Sequence, residues 1–374
     1  MKNAIGIILT GGKKRQLKEM TAKRTSAAIP VGGKYRAIDF VLSSMVNSGI
    51  TKVGVITQYN LHSLMDHLGS GKEWDLDRRH GGLYIFPPSL SGDNTGWYRG
   101  TAEAMYNNLT FLKRSEEDYV IIASGDCIYN MLFDDVLQYH IEKKADITVI
   151  YKEMDDLSQR ELSMFGIMEV DSNGRIIDFQ EKPLHPLSTK CSMGIYIVSR
   201  KLLMSLLEDC AAHGYYDFVM DVIIKRIETL RIFGYKFNGY WRSINSIESY
   251  YKCNMELLQP EIREELFLQE DRKIFTKVKS EVPAKYNEEA EVRNSLIADG
   301  CIIEGVVENS VLFRGVTVGK NVIIRNSIIM QDTVIEDNVE LNYVIVDKNV
   351  RITRGKSLKG EKTLPVIVGK RTVV

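Results

Sequence analysis

The chain has few cysteines, no excess of either charge and no long apolar run, and each shortage excludes something. Five cysteines stand among 374 residues (Cys127, Cys191, Cys210, Cys253, Cys301), an odd and scattered set with no Cys-x-x-Cys spacing. That excludes a disulfide framework and a thiolate zinc site, and fits the reduced thiols of a cytoplasmic protein. Lys plus Arg and Asp plus Glu both number 49, so the formal net charge is zero. Nothing in that balance favours electrostatic capture of nucleic acid. No stretch approaches the roughly 20 apolar residues of a membrane helix, and Met1-Lys2-Asn3 leads into a strand without a secretory apolar segment. We expect a cytoplasmic protein with no membrane and no nucleic-acid partner. Charged residues at 26% and hydrophobic ones at 44% are ordinary for globular chains, and the length favours two domains.

What is present begins with Ile5 to Leu9, an apolar run of the right length for one buried parallel strand. Gly11 and Gly12 follow it. Paired glycines after the first strand of an open α/β sheet bring backbone N–H groups close to an anion, commonly a phosphate. The next residues, Lys14, Arg15 and Gln16, are bulky, although a loop wrapped on a triphosphate favours small ones. Either the loop grips phosphate with cations or it no longer grips nucleotide.

Strand and helix signals then alternate. Gly32-Gly33 enters a helix running to about Asn47, and Thr51 to Thr57 is a second strand ending at Gln58. A glycine-hinged loop, 96–102, leads into a helix to about Leu112. Tyr119 to Ala123 is a third strand and stops at Ser124-Gly125-Asp126. An acidic residue just past the C-terminal end of a parallel strand stands where open α/β sheets bind ligands, although a plain turn residue would read the same way. Ile147 to Tyr151 is a further strand. Asp171 to Gly174 marks a hairpin turn, and Asp217 caps a helix. The alternation predicts an α/β domain over 1–258, with a charged linker at 259–293.

Past the linker the period changes. Val316, Val322, Ile328 and Val334 recur every six residues, with Val306, Leu312, Val344 and Val350 in the same step. A six-residue repeat predicts a parallel β-helix over 294–374, in which inward apolar residues stack from coil to coil. We expect Val311, Phe313, Ile345 and Val346 to offer an apolar surface for dimers or tetramers.

Gly-Gly-Lys-Tyr-Arg-Ala-Ile-Asp-Phe, Trp-Tyr-Arg-Gly-Thr-Ala, Ser-Gly-Asp-Cys-Ile-Tyr, Phe-Gly-Ile-Met, Glu-Lys-Pro and Ser-Met-Gly-Ile-Tyr occur in this order, followed by the hexads. Together they resemble bacterial glucose-1-phosphate adenylyltransferase (ADP-glucose pyrophosphorylase) over essentially the whole chain. The resemblance implies a Rossmann-like nucleotidyltransferase sheet domain followed by a C-terminal left-handed parallel β-helix. It implies attack of glucose 1-phosphate on the α-phosphorus of ATP with release of pyrophosphate, in glycogen synthesis. It implies Mg²⁺ held by two carboxylates, of which Asp126 is the first. The nucleotide side would be Gly11, Gly12, Gln58, Tyr98, Gly100 and Thr101. The sugar-phosphate side would be Lys182, Ser192, Gly194, Asp217 and Trp241. Lys23 and Arg24 match the region for anionic effectors, or are a solvated basic pair.

The departures cluster on catalysis. Against the family's Gly-Gly-x-Gly-(Ser/Thr)-Arg-Leu, Lys14 stands where the third glycine belongs, Arg15 replaces the small hydroxyl residue and Gln16 replaces the arginine. Ser26 replaces a lysine. The family's Trp-x-Asp-Val-Gly-Thr is Trp241-Arg242-Ser243-Ile244-Asn245-Ser246 here, so Ser243 stands for the second metal aspartate and Mg²⁺ is doubtful in this chain. That pattern resembles the family's non-catalytic, regulatory type, the GlgD type, which accompanies a catalytic subunit in a hetero-tetramer. Two other readings stand beside it: a self-sufficient enzyme with a rebuilt phosphate loop, and a sugar-phosphate-binding scaffold without an enzyme partner.

Overall fold

The computed structural model describes residues 3–12, 14–88 and 96–374. The first domain is built on strands β1 (Ala4–Leu9), β2 (Lys52–Ile56), β3 (Gly82–Phe86), β4 (Tyr119–Ser124), β5 (Cys127–Tyr129), β6 (Ile147–Glu153), β7 (Gly166–Val170), β8 (Ile176–Glu181), β9 (Lys190–Ser199), β10 (Ile232–Lys236) and β11 (Trp241–Ser243). Nine of them form one sheet, ordered β8-β7-β9-β4-β1-β2-β3, with β6 beside β9 and β10 beside β6. The run β4-β1-β2-β3 is parallel, as expected of apolar strands buried on both faces. β9 is antiparallel to β4, β6 and β7, so the sheet is mixed. β7 and β8 form the predicted hairpin, whose turn is tied by Asp171 Oδ1 accepting from Asn173 and Arg175 N–H at 2.9 and 2.8 Å. The helix expected up to Leu112 is two short ones, Thr101–Tyr106 and Leu109–Lys113, broken at Asn107-Asn108.

β5 and β11 leave the sheet as a two-stranded ribbon in which Ser243 lies opposite Cys127. The ribbon starts one residue after Asp126, and Ile244 N–H donates to the Asp126 carbonyl at 2.9 Å. This places the end of β4, the ribbon and the Gly11 loop at one rim, outside the carboxyl ends of the parallel strands.

The C-terminal module has three parallel sheets of five short strands each, wound as a β-helix. Its first strands, Lys285–Tyr286 and Glu291–Arg293, fall inside the span read as linker, and Pro260–Phe267 in that span is a helix. Short, polar coil strands carry little apolar signal, which is why the sequence reads as linker there. The six-step register also slips. Thr317 pairs with Val334 and Val334 with Arg351, so these coils repeat after seventeen residues, not eighteen. Thr333 is therefore buried at 0% exposure and Val334 is turned outward at 41%. Asn309, Asn321, Asn326, Asn338 and Asn349 take positive φ, the left-handed corner that asparagine tolerates better than most residues.

The apolar surface expected for assembly is spent inside the chain. Val311, Phe313 and Ile345, with Ile328 and Met330, pack on Leu17, Ile29, Phe40, Tyr250 and Leu257 of the first domain. Val346 is in the β-helix core. The β-helix strands that carry them lie between two cores, so both of their faces are apolar, and one buries against the neighbouring domain.

Candidate functional site

The rim opens into a cavity of about 630 Å³, adjoining a cleft of about 420 Å³. Leu9, Gly11, Gly12, Arg15, Thr101 and Asp217 border both. Gly11 has φ +71°, which a side-chain residue rarely adopts. A short helical turn, Arg15–Thr21, starts four positions after it. Leu17 is buried and anchors that turn, while Arg15 and Gln16 stay exposed at the cavity wall.

Asp126 is only 1% exposed, and its carboxylate accepts from three groups. Ser26 Oγ donates to Oδ2 at 2.7 Å, Ser124 Oγ to Oδ1 at 2.9 Å, and the Lys14 ammonium lies 2.6 Å from Oδ2. A carboxylate has about four acceptor directions, so little of its capacity is left. Lys14 Nζ also donates to the Ile244 carbonyl at 3.2 Å, joining the end of β4 to the end of the ribbon. Ser243 lines the same cavity. Cys127 beside it is a buried thiol, pushed up to about 12 by burial and by the Asp126 charge, so it is inert as a nucleophile. Arg242 anchors the ribbon on Glu256 at 2.8 and 2.9 Å and on Asp156 at 2.7 Å.

The proposed sugar side comes together. Lys182, Ser192, Gly194, Asp217 and Trp241 all border the larger cavity. Lys182 is 62% exposed and pairs with its neighbour Glu181. Trp241 is buried and packs on Phe165 with ring centroids 5.3 Å apart. Asp217 Oδ1 accepts from Val219 and Met220 N–H at 2.9 Å each, capping a helical turn as expected.

The nucleotide-side residues line the smaller cleft. Gln58 uses both ends of its amide on the Tyr98 backbone, at 3.0 and 3.2 Å, so it holds the loop in place. Thr101 Oγ1 accepts from Phe218 N–H at 2.9 Å and ties that loop to the Asp217 turn. Gly100 sits against the Tyr216 carbonyl, and a Cβ there would come within 2.4 Å of it. Gly100→Ala should therefore push the Asp217 turn away. We expect a stability loss of about 1–3 kcal/mol, the usual cost of overpacking, together with weaker sugar-phosphate binding. Equilibrium unfolding and titration calorimetry check both, and an unchanged variant would mean the loops are not tied.

The description "Nucleotidyl transferase" fits a family model over residues 5–260, and "GlmU-like, C-terminal hexapeptide" fits a second over 279–362. The glucose-1-phosphate adenylyltransferase of Clostridium perfringens is 41% identical over 383 residues, covering 100% of this chain and 96% of its own. Those of Thermosipho africanus and Geobacillus stearothermophilus are 44% and 41% identical, each over 87% of this chain and over 78% and 84% of their own. The chain belongs to the glucose-1-phosphate adenylyltransferase family. The hexapeptide match and the three parallel sheets together give the family's left-handed β-helix.

Against that family, the metal carboxylates can be tested for fit. Of the two, only Asp126 is present, and a lysine ammonium already sits on it. The opposite place is the neutral Ser243. The donor set does not fit Mg²⁺. The sequence leaves Lys14 either as a phosphate-gripping cation or as a mark of a loop that no longer grips nucleotide, and gives Ser26 as a replaced lysine; both side chains bind Asp126. The only signal for this was a cation at a glycine position.

The two effector candidates part company. Lys23 is exposed. Arg24 is 3% exposed and forms a two-pronged ion pair with Asp347 of the β-helix, at 2.6 and 2.8 Å, so it joins the two domains. Also among the described residues, no helix is long and apolar enough to cross a membrane.

Proposed function

We propose that this chain is a catalytically weak or inactive regulatory member of the glucose-1-phosphate adenylyltransferase family. In this reading it retains a sugar-phosphate pocket and raises the activity or substrate affinity of a catalytic partner that makes ADP-glucose and pyrophosphate from ATP and glucose 1-phosphate for glycogen synthesis. One observation carries the reading: the Lys14–Asp126 ion pair in the cavity where Ser243 takes the place of a second carboxylate. Nucleotidyl transfer depends on positioning and on neutralising charge at the phosphates. A carboxylate closed by an internal lysine contributes nothing to that, and removing one such electrostatic element typically costs a hundred- to thousand-fold in rate, or about 3–4 kcal/mol. The retained Lys182, Ser192, Gly194, Asp217 and Trp241 support binding without turnover. A ligand that prefers one state of this chain shifts a coupled partner by that preference, typically about 1–3 kcal/mol.

The test is turnover by the purified chain alone and mixed with a catalytic glucose-1-phosphate adenylyltransferase subunit. We expect little activity alone and a higher rate or lower KM in the mixture. Robust turnover by the lone chain sinks the proposal in favour of a self-sufficient enzyme. An unaffected partner removes the regulatory part. Lys182→Ala should weaken glucose 1-phosphate binding to the lone chain about tenfold, the loss of one charged hydrogen bond. Its unfolding midpoint should not move, because an exposed side chain carries no core. Calorimetric titration and denaturant unfolding measure the two quantities.

A further inference from the structure

We propose that Lys14 is a tethered cation standing where this fold would otherwise place a metal, and that the cavity therefore takes the polyphosphate of ATP in its metal-free form. The inference rests on the preceding reading that the cavity still admits a phosphorylated ligand.

The geometry is specific. The Lys14 ammonium is 2.6 Å from Asp126 Oδ2 and 3.2 Å from the Ile244 carbonyl. It thus bridges the two strand ends that would each supply a metal carboxylate, one retained as Asp126 and one replaced by Ser243. Two hydroxyls, Ser26 and Ser124, complete the carboxylate, so the ion pair is built in and needs no ligand to form. The lysine is 26% exposed, and it borders the cavity together with Arg15, so positive charge still faces a ligand there. An ammonium differs from a divalent ion in two ways. It cannot be exchanged or chelated away, and it repels any further cation brought in on the ligand. Mg²⁺ bound to ATP would enter beside the Lys14 ammonium, which already holds the Asp126 carboxylate. Metal-free ATP would meet Lys14, Arg15 and Lys182, the cations that border the cavity.

The experiment is calorimetric titration of the whole chain with ATP, once in EDTA and once in excess Mg²⁺, for the wild type and for Lys14→Ala. Glucose 1-phosphate in both buffers is the companion arm. We expect the wild type to bind ATP at least threefold more tightly in EDTA than in Mg²⁺. We expect Lys14→Ala to lose or reverse that preference, with Asp126 then open to a cation. Thermal unfolding of the variant establishes that it is folded before it is titrated. Lys14→Met is the second variant, retaining the aliphatic stem, should alanine unfold the loop. Tighter binding of ATP in Mg²⁺ by the wild type overturns the proposal. So does a metal preference unaltered in both Lys14 variants. Absence of ATP binding in either buffer overturns it too, and glucose 1-phosphate binding in the same samples then leaves the sugar-phosphate part of the functional reading standing.

Discussion

A chain carrying Lys14→Gly, Arg15→Ser, Gln16→Arg and Ser243→Asp together is expected to turn over ATP and glucose 1-phosphate at least a hundredfold faster than the unaltered chain, whereas Ser243→Asp alone gains almost nothing. The reason lies in who already occupies the space. Ser243 is opposite Cys127 in the ribbon, at the end that Lys14 bridges through the Ile244 carbonyl. A new carboxylate at 243 competes with Asp126 for the one Lys14 ammonium, which still stands between them. Lys14→Gly alone removes the counter-charge from an aspartate that is 1% exposed. That change should cost stability without restoring rate, since a buried carboxylate without its partner is costly. Rebuilding the loop alone leaves one carboxylate where the family has two. Only the four changes together restore the family's loop and both acidic positions, and groups that act as a unit are strongly non-additive. Hundredfold corresponds to about 2.7 kcal/mol of barrier, within the range of a single electrostatic element. Steady-state rates for the single, loop and combined variants decide it. Full activity from Ser243→Asp alone would mean that the loop and Lys14 were never the defect.

The parts of this fold that were legible in the sequence are those fixed by local pattern. Ile5 to Leu9 and Tyr119 to Ala123 are unbroken apolar runs, and both are central parallel strands. Gly11 takes the positive φ of its turn, Gly100 lies where a Cβ would strike the Tyr216 carbonyl, and Asp217 caps its turn. What was not legible depends on partners far along the chain. β9 touches three strands, and none of those pairings leaves a mark on its own ten residues. Val311 and Ile345 read as exposed apolar positions because alternation reports a strand's own sheet and not a second domain packed on its far face. The hexad reading failed at Val334, where a seventeen-residue coil shifts the inward place to Thr333. At the site, the departures from the family's motifs at Lys14 to Gln16 and at Ser243 were visible in the sequence. The Lys14–Asp126–Ser26 cluster was not, because its members are 112 and 100 positions apart in the two pairs that include Asp126.

The Arg24–Asp347 pair leads to the second large effect. Arg24→Ala is expected to destabilise the chain by about 3–5 kcal/mol, the cost of leaving a buried charge without its partner. Both side chains are 3% exposed, and 323 positions separate them, so the bond clamps the β-helix onto the first domain. Once the guanidinium is gone, Asp347 keeps the hydrogen bond from the Lys348 N–H at 2.6 Å and the nearby basic side chains of Lys348 and Lys370, and loses its two-pronged partner. Asp347→Ala should cost a similar amount by stranding Arg24. Arg24→Met with Asp347→Leu, which removes both charges and keeps the volume, should recover most of the loss, as buried pairs replaced by apolar side chains often are neutral or better. The clamp also bears on the cavity. Arg24 is two residues from Ser26, whose hydroxyl holds Asp126, and the buried segment Ser26–Ala28 allows little slack between them. Loosening Arg24 should therefore weaken ATP binding as well as folding, while the apolar double variant restores both. Urea unfolding gives the stabilities, and ATP titration of folded samples gives the affinities. If Arg24→Ala unfolds at the wild-type midpoint, the pair contributes nothing to joining the domains. If it destabilises the chain but leaves ATP affinity unchanged, the clamp is structural only and the cavity is held by the first domain alone.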